Sequence, residues 1–205
     1  FYKDFSDLNE YYDLFLIHPD GEIFYTAARE ADYQTNILKG PYAASNLAQL
    51  ARDVVYYDQD RFVDFAPYEP SGNAPAAFVA TAVKLNATEA SRTNPLTATL
   101  GSQFIVALQL SDSTLNEVML QRTGLGETGE SYLVGPDFKL RTSTRDPKRN
   151  LASSLSGDVA LNGADTEPVR LALEGQSDTG LYQNYNSDWV LASFSPIEVH
   201  NQTWA

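Results

Sequence analysis

The sequence predicts an α+β fold: two similar modules in tandem, each a mainly antiparallel sheet with flanking helices. Three observations predict it. Two distant stretches share one plan of apolar strand, Pro-Asp turn and second strand: Tyr12 to Thr26 (YDLFLIHPDGEIFYT), and the run after Gly124 (GLGETGESYLVGPDFKLRTSTR). Laying Pro19-Asp20 on Pro136-Asp137 places Ile17 on Val134, Ile23 on Leu140 and Thr26 on Ser143, which is an internal repeat. The length of 205 residues suits two domains of about 100 residues each. The first half also reads as strand, strand, helix and then three strands in succession, the order of an antiparallel α+β sheet.

The elements follow from periodicity and punctuation. Phe1 to Tyr11 reads as the end of a helix, with Phe1, Phe5 and Leu8 at helical spacing. Strands are expected at Tyr12–Ile17 and Glu22–Thr26, because proline presets φ at the turn and aspartate bonds its own backbone. Ala27 to Pro41 is a loop. Tyr42 to Val55 carries Leu47, Leu50, Ala51 and Val54 on one helical stripe. Arg61 to Tyr68 reads as a strand whose alternation puts Phe62, Asp64, Ala66 and Tyr68 on one face. Ala76–Val83 and Gln103–Leu110 are further strands, separated by a polar insertion, Lys84 to Ser102. Ser111 to Arg122 reads as a connector helix, capped by Ser111 or Asp112. The domains are therefore 1–110, the connector 111–122 and 123–205. In the second, strands are expected at Ser131–Val134 and Lys139–Thr144, then a polar loop from Asp146 to Asn162. A short helix over Val169–Glu174 is capped by Thr166, and an antiparallel pair spans Gly180–Tyr185 and Trp189–Ile197. A last strand at Thr203–Ala205 is expected to be cut short, and the missing Met at position 1 suggests a piece of something longer.

Composition excludes several functions. The net charge of -13 leaves no basic patch for nucleic acid or an anionic membrane surface. The absence of cysteine removes disulfides, thiolate nucleophiles and cysteine metal sites. No apolar run approaches a membrane span of about 20 residues.

Few motifs carry chemistry. Gly124, Gly126 and Gly129 match the G-x-G-x-x-G dinucleotide pattern, but a helix precedes and a strand follows, the reverse of what phosphate binding needs. The sequons at Asn86 and Asn201 are short enough to arise by chance. His18 and His200 lie in turn-like surface segments, and no G-x-S-x-G elbow accompanies the serines, so no enzyme is read here. Asp58, Asp60 and Asp64 lack the spacing of a calcium loop and read as a solvated acidic segment, with no metal or cofactor implied. Asp64 among aromatics is costly to bury unless paired. A pocket for a small polar ligand accounts for it, and so does a structural acid bonded to an arginine or backbone amide.

These segments in this order, with TNILKGPYAASNLA, FVDFAPYEPSGNAPAAFVATAV and FIVALQL leading into the connector helix, resemble the double Cache (tandem PAS-like) extracellular sensor domain of bacterial transmembrane receptors. The resemblance covers about residues 11 to 205. It implies a membrane-distal module, a membrane-proximal module, a long N-terminal helix joining them, and flanking transmembrane helices. It further implies a homodimer in the full receptor (the fragment alone being monomeric), a periplasmic or extracellular setting, and a cytoplasmic output domain, a histidine kinase first and a chemoreceptor or cyclase as the alternative. The ligand of such domains sits in the distal module, which points to Tyr25, Tyr33, Asp64, Tyr68, Ser71 and Phe78. Amino-acid-sensing members carry a Tyr, Arg and Trp-Tyr constellation there. Here Trp189 and Trp204 both fall in the proximal module, which argues against an α-amino acid, and Asp64 would repel a small carboxylate, so a neutral or cationic metabolite is expected instead. The competing expectation is a module that senses a periplasmic partner protein.

Overall fold

The structure is a computed structural model that describes residues 11–84, 103–119, 121 and 124–205. It divides into two compact units, Phe1–Ser111 and Asp112–Ala205. The expected helix over Phe1–Tyr11, the polar insertion and the Asn86 sequon fall almost wholly outside the described residues.

In the first unit, five antiparallel strands form one sheet: β1 (Asp13–Ile17), β2 (Ile23–Thr26), β3 (Arg61–Tyr68), β4 (Ala74–Lys84) and β5 (Gln103–Leu110), in the order β2-β1-β5-β4-β3. Register puts Phe15, Ala107 and Ala80 in one row, with Ile17 and Ile105 in the next. Helix α1 (Asn46–Tyr57) covers this face with Leu47, Leu50, Ala51 and Val54, all buried. Its cap is Ser45, whose hydroxyl accepts the Ala48 N–H at 3.1 Å. It ends at Asp58, left-handed at φ 53°.

Strict alternation in β3 fails at a bulge. The register shifts between Val63 and Ala66, so Phe62 pairs with Val79 whereas Ala66 and Tyr68 pair with Ala76 and Ala74. One extra residue inverts the phase of everything after it. Phe62 and Tyr68 therefore lie on opposite faces, and Tyr68 joins the core with Phe15 and Phe78.

The second unit opens with α2 (Asp112–Met119) and holds three short helices, α3 (Leu151–Ser156), α4 (Val159–Asn162) and α5 (Glu167–Leu173). The expected polar loop at Asp146–Asn162 is thus largely helical. Asn150 and Ser153 form a reciprocal capping box for α3, and Asp158 caps α4 through the Ala160 N–H. Thr166 takes the N-cap position of α5 without a side-chain cap bond. Strands β6 (Asp178–Gln183) and β7 (Trp189–Phe194) pair, as do β8 (Ile197–Val199) and β9 (Gln202–Trp204).

The strands expected at Ser131–Val134 and Lys139–Thr144 reduce to a single bridge, Val134 to Leu140. Side chains take over the ladder: Leu133 N–H donates to Thr142 Oγ1, Leu140 N–H to Ser154 Oγ and Ser143 N–H to Asn116 Oδ1. Val134 also exchanges both backbone bonds with Ala205, at 2.9 and 2.8 Å. Pairing therefore runs Leu140, Val134, Ala205 with β9, then β8 and, continuing from it along the chain, β7 with β6. This is the strand order of the first unit.

The two Pro-Asp turns are the same structure. Gly21 N–H donates to the His18 carbonyl and Phe138 N–H to the Gly135 carbonyl, and the residue after Asp is left-handed in both, Gly21 at φ 101° and Phe138 at φ 59°.

Candidate functional site

At one end of the α1-covered face, the sheet turns from apolar to polar without changing phase. Asp13 on β1 is the register partner of Gln109 on β5, and Gln109 is that of Phe78 on β4. Asp13 is 0 % exposed and Gln109 2 %. Both continue the alternation of Phe15, Ile17, Ala107 and Ile105, so the backbone aims them inward. Tyr68, at the end of β3 and paired with Ala74, lies on the same face, with its ring edge-on to Phe78 at 5.0 Å.

The loop after β2 supplies the remaining groups. Asp13 Oδ1 accepts the N–H of Leu14, Ala27 and Ala28 at 2.7–2.8 Å, which ties that loop to β1. Asp32, fully buried on the same loop, accepts the Tyr68 hydroxyl at 2.6 Å through Oδ2. Glu30 accepts the hydroxyls of Tyr12 at 2.7 Å and Ser71 at 2.5 Å. Gln109 Nε2 in turn donates to Ser71 Oγ at 3.2 Å.

Among the described residues, this network leaves three buried acceptors, Asp13 Oδ2, Asp32 Oδ1 and Gln109 Oε1, without a hydrogen-bond partner. Burial pushes the Asp13 carboxyl up to about 6, against the pull of its three backbone donors. Burial likewise raises Asp32, despite its bond from Tyr68. The Tyr68 phenol is driven far up by burial and then by Asp32, Asp13 and Glu30. A buried acceptor without a donor costs about 1–3 kcal/mol, so the cluster has the capacity to accept further hydrogen bonds.

Of the residues expected from sequence, Tyr68, Ser71 and Phe78 belong to this cluster, and Tyr33 lies on the covering loop with the Arg29 guanidinium 5.5 Å from its ring. Tyr25 does not belong: it pairs with Leu16, whose register partner is Val106, on the opposite face of the sheet. Asp64 sits in the β3 bulge, where its Oδ1 accepts the Phe65 N–H at 2.7 Å, and the acid that meets Tyr68 is Asp32. Asp13, Asp32 and Gln109 escaped the sequence reading. Asp13 and Gln109 were detectable, since each is polar in phase with apolar neighbours. Among the described residues no group of three or more His, Asp or Glu is placed to hold a metal ion.

The second unit holds the counterpart. The offset that carries Pro19 onto Pro136 carries Asp13 onto Glu130, Phe15 onto Tyr132, Asp32 onto Arg149 and Tyr68 onto Tyr185. Glu130 Oε2 accepts the Arg145 N–H at 2.8 Å, as Asp13 accepts that of Ala28. Its Oε1, however, accepts the Tyr185 hydroxyl. Arg149 lies 4.9 Å from the Tyr185 ring and donates to the carbonyls of Gly163, Ala160 and Tyr185. Burial, then the charge of Glu130, pushes the Tyr132 phenol up to about 12. Here the acid is satisfied by the chain itself.

Solved structures share this architecture across nearly the whole chain. The ligand-binding domain of the Campylobacter jejuni chemoreceptor Tlp3, in complex with 4-methylisoleucine, matches at a TM-score of 0.57 and 11% identity, over 99% of this chain and 67% of that one. An extracellular ligand binding receptor from Desulfohalobium retbaense matches at 0.56 and 9%, over 99% and 31%. The ligand binding domain of the Pseudomonas aeruginosa amino acid chemoreceptor PctB, in complex with L-Arg, matches at 0.52 and 16%, over 95% and 63%. The chain shares its fold with these ligand-binding domains. No protein-family model and no curated protein matches the chain. The chain spans 31% of the Desulfohalobium receptor's length and 63% of the PctB domain's. Among the described residues no helix is long and apolar enough to cross a membrane.

Proposed function

We propose that this chain is the extracytoplasmic ligand-sensing domain of a bacterial transmembrane receptor, that it binds a small metabolite in its first unit, and that it carries out no chemistry itself. The observation that carries this reading is that Asp13, Asp32 and Gln109, gathered beside Tyr68 and Ser71, keep Oδ2, Oδ1 and Oε1 buried without a donor among the described residues, in a domain whose fold is shared with receptor ligand-binding domains. Asp13, Asp32, Tyr68 and Gln109 hold the ligand, with Tyr33, Ser71 and Phe78 around them. The first unit is the membrane-distal one. Ligand pairs with Asp13 and Asp32, draws the covering loop onto the sheet and favours one of two arrangements of the receptor. The shift it produces is bounded by its differential affinity for the two. The similar structures with TM-scores above 0.5 include chemoreceptor domains, which favours a chemoreceptor output over the histidine kinase expected from sequence. The test is a thermal-shift screen of metabolites, repeated on Asp32→Asn. A hit that stabilises the wild type and not the variant supports the site, and a hit that both bind equally places the ligand elsewhere.

One observation favours a second reading, contact with a periplasmic partner protein. The β6–β7 pair exposes Leu181, Trp189 and Leu191 at 71–75 %, with Leu181 and Leu191 directly paired. Substituting all three with serine and finding signalling lost while ligand binding persists would support it.

A further inference from the structure

We propose that Glu30 is a positioning residue that sets the specificity of the first unit. Acting through Ser71, it fixes the side-chain amide of Gln109 so that the oxygen, and not the nitrogen, is the open group. The site then selects a ligand that offers an N–H or O–H donor at that point. This rests on the ligand-binding reading and names the ligand group that is read. Four side chains are involved. The Tyr12 hydroxyl donates to Glu30 Oε1 at 2.7 Å, and the Ser71 hydroxyl donates to Glu30 Oε2 at 2.5 Å. Gln109 Nε2 donates to Ser71 Oγ at 3.2 Å. Gln109 Oε1 is buried without a partner among the described residues.

The direction of each bond follows from counting protons. A carboxylate only accepts, and a hydroxyl carries one proton. Both oxygens of Glu30 are met by hydroxyls, so the single proton of Ser71 is committed to Glu30. Towards Gln109, Ser71 Oγ is left as an acceptor. An amide has donors on one branch and an acceptor on the other, and the hydrogen-bond network decides between its two orientations. The turned-over amide would set Oε1 against Ser71 Oγ, two oxygens with no proton between them. The nitrogen therefore faces Ser71, and the oxygen is left over. Its open state is imposed from outside Gln109, by an acid of the covering loop. The backbone holds the three members independently. Register fixes Gln109 beside Asp13 and Phe78. Ser71 ends the single turn Glu69–Ser71, closed by the Gly72 N–H on the Glu69 carbonyl. Glu30 follows Arg29, which is left-handed at φ 55° and donates its N–H to Thr26 Oγ1 at 2.6 Å; the Glu30 carbonyl accepts the Tyr33 N–H. A ligand acceptor placed against Oε1 would again oppose two acceptors, whereas an amide N–H or an alcohol O–H pairs with it.

The test is NMR of the side-chain amides, first on the protein alone. The Gln109 pair is identified by its loss in Gln109→Met. In the wild type its protons show Overhauser contacts to the Ser71 β-protons. Glu30→Gln can donate to Ser71 and so free the Ser71 proton for Gln109 Oε1; it turns the amide over and weakens those contacts, with circular dichroism unchanged. Ser71→Ala moves the shifts of the Gln109 pair, and Ser71→Thr, which keeps the hydroxyl, restores the wild-type pattern. The same spectra are then followed with two probes, acetamide, which offers N–H donors, and N,N-dimethylacetamide, which offers none. Acetamide binds the wild type at least about tenfold more tightly, and Glu30→Gln abolishes or reverses that preference. The inference is overturned if the Gln109 amide of the free wild type has its oxygen towards Ser71, if its orientation is the same in Glu30→Gln, or if the preference between the probes is unchanged in that variant. An orientation indifferent to Glu30 beside a metabolite that still binds the first unit sinks this inference and leaves the ligand-binding reading standing. An orientation that follows Glu30 in a first unit to which neither probe nor any metabolite binds supports the relay and sinks that reading.

Discussion

Asp13→Asn is the substitution whose consequence the structure fixes most tightly. The Asp13 carboxyl titrates at about 6 in the fold, against an unperturbed 3.8. The folded state therefore holds this proton more strongly than the unfolded chain does. The stability so gained is fully present below about pH 3.8, declines as pH rises, and is gone above about pH 6. A shift of about two units at 1.36 kcal/mol each makes the loss about 3 kcal/mol for the first unit. Asparagine keeps the oxygen that accepts from Leu14, Ala27 and Ala28. It also replaces Oδ2, a buried oxygen without a partner among the described residues, by an uncharged amide nitrogen. Urea denaturation from about pH 4.5 to pH 8 should show the wild type losing stability relative to the variant as pH rises, with the variant ahead by about 2–3 kcal/mol at neutral pH. Asp32, raised in the same direction, leaves the variant some residual slope. A difference independent of pH, or a variant less stable than wild type at pH 7.5, would refute the reasoning.

Three further outcomes are expected. Gly21→Ala destabilises the first unit by about 2–3 kcal/mol in denaturant unfolding, since its φ of 101° disfavours a side chain and the new Cβ would fall 2.6 Å from Leu38 Cγ. Ser45→Ala costs about 1 kcal/mol by leaving the Ala48 N–H without its cap, and Ser45→Asp restores it. Tyr185→Phe costs about 1–3 kcal/mol in the second unit because Glu130 Oε1 loses its donor, and the first unit's unfolding is unchanged.

Much of this architecture was legible because it is repetitive. The Pro-Asp turns, the α1 stripe and the runs of β4 and β5 each follow from local chemistry that tertiary context did not override. The β3 bulge was not legible: VDFA alternates plausibly, and only pairing with β4 shows that two residues oppose one. The second unit's first hairpin misled for a different reason. Its residues have strand propensity, yet Thr142, Ser154 and Asn116 supply the bonds that a neighbouring strand would have made. The site was half legible. Tyr68, Ser71 and Phe78 follow from fold resemblance, whereas Asp13 and Gln109 needed the phase of their strands to be weighed as closely as that of Asp64. Asp32 lies in a loop, where no periodicity marks a side chain as inward. Its place in the cluster emerges only from its burial and the bond it accepts from Tyr68.

The central claim is that ligand is held in the first unit, between the sheet and the loop tied to Asp13. Hydrogen exchange with and without a ligand found by the thermal-shift screen tests it most directly. Protection confined to the backbone N–H groups of the covering loop, the N-terminal residues of β1 and the C-terminal residues of β5, with the second unit unchanged, is the expected result. Protection centred on Glu130, Arg149 and Tyr185, with the first unit unchanged, would contradict it.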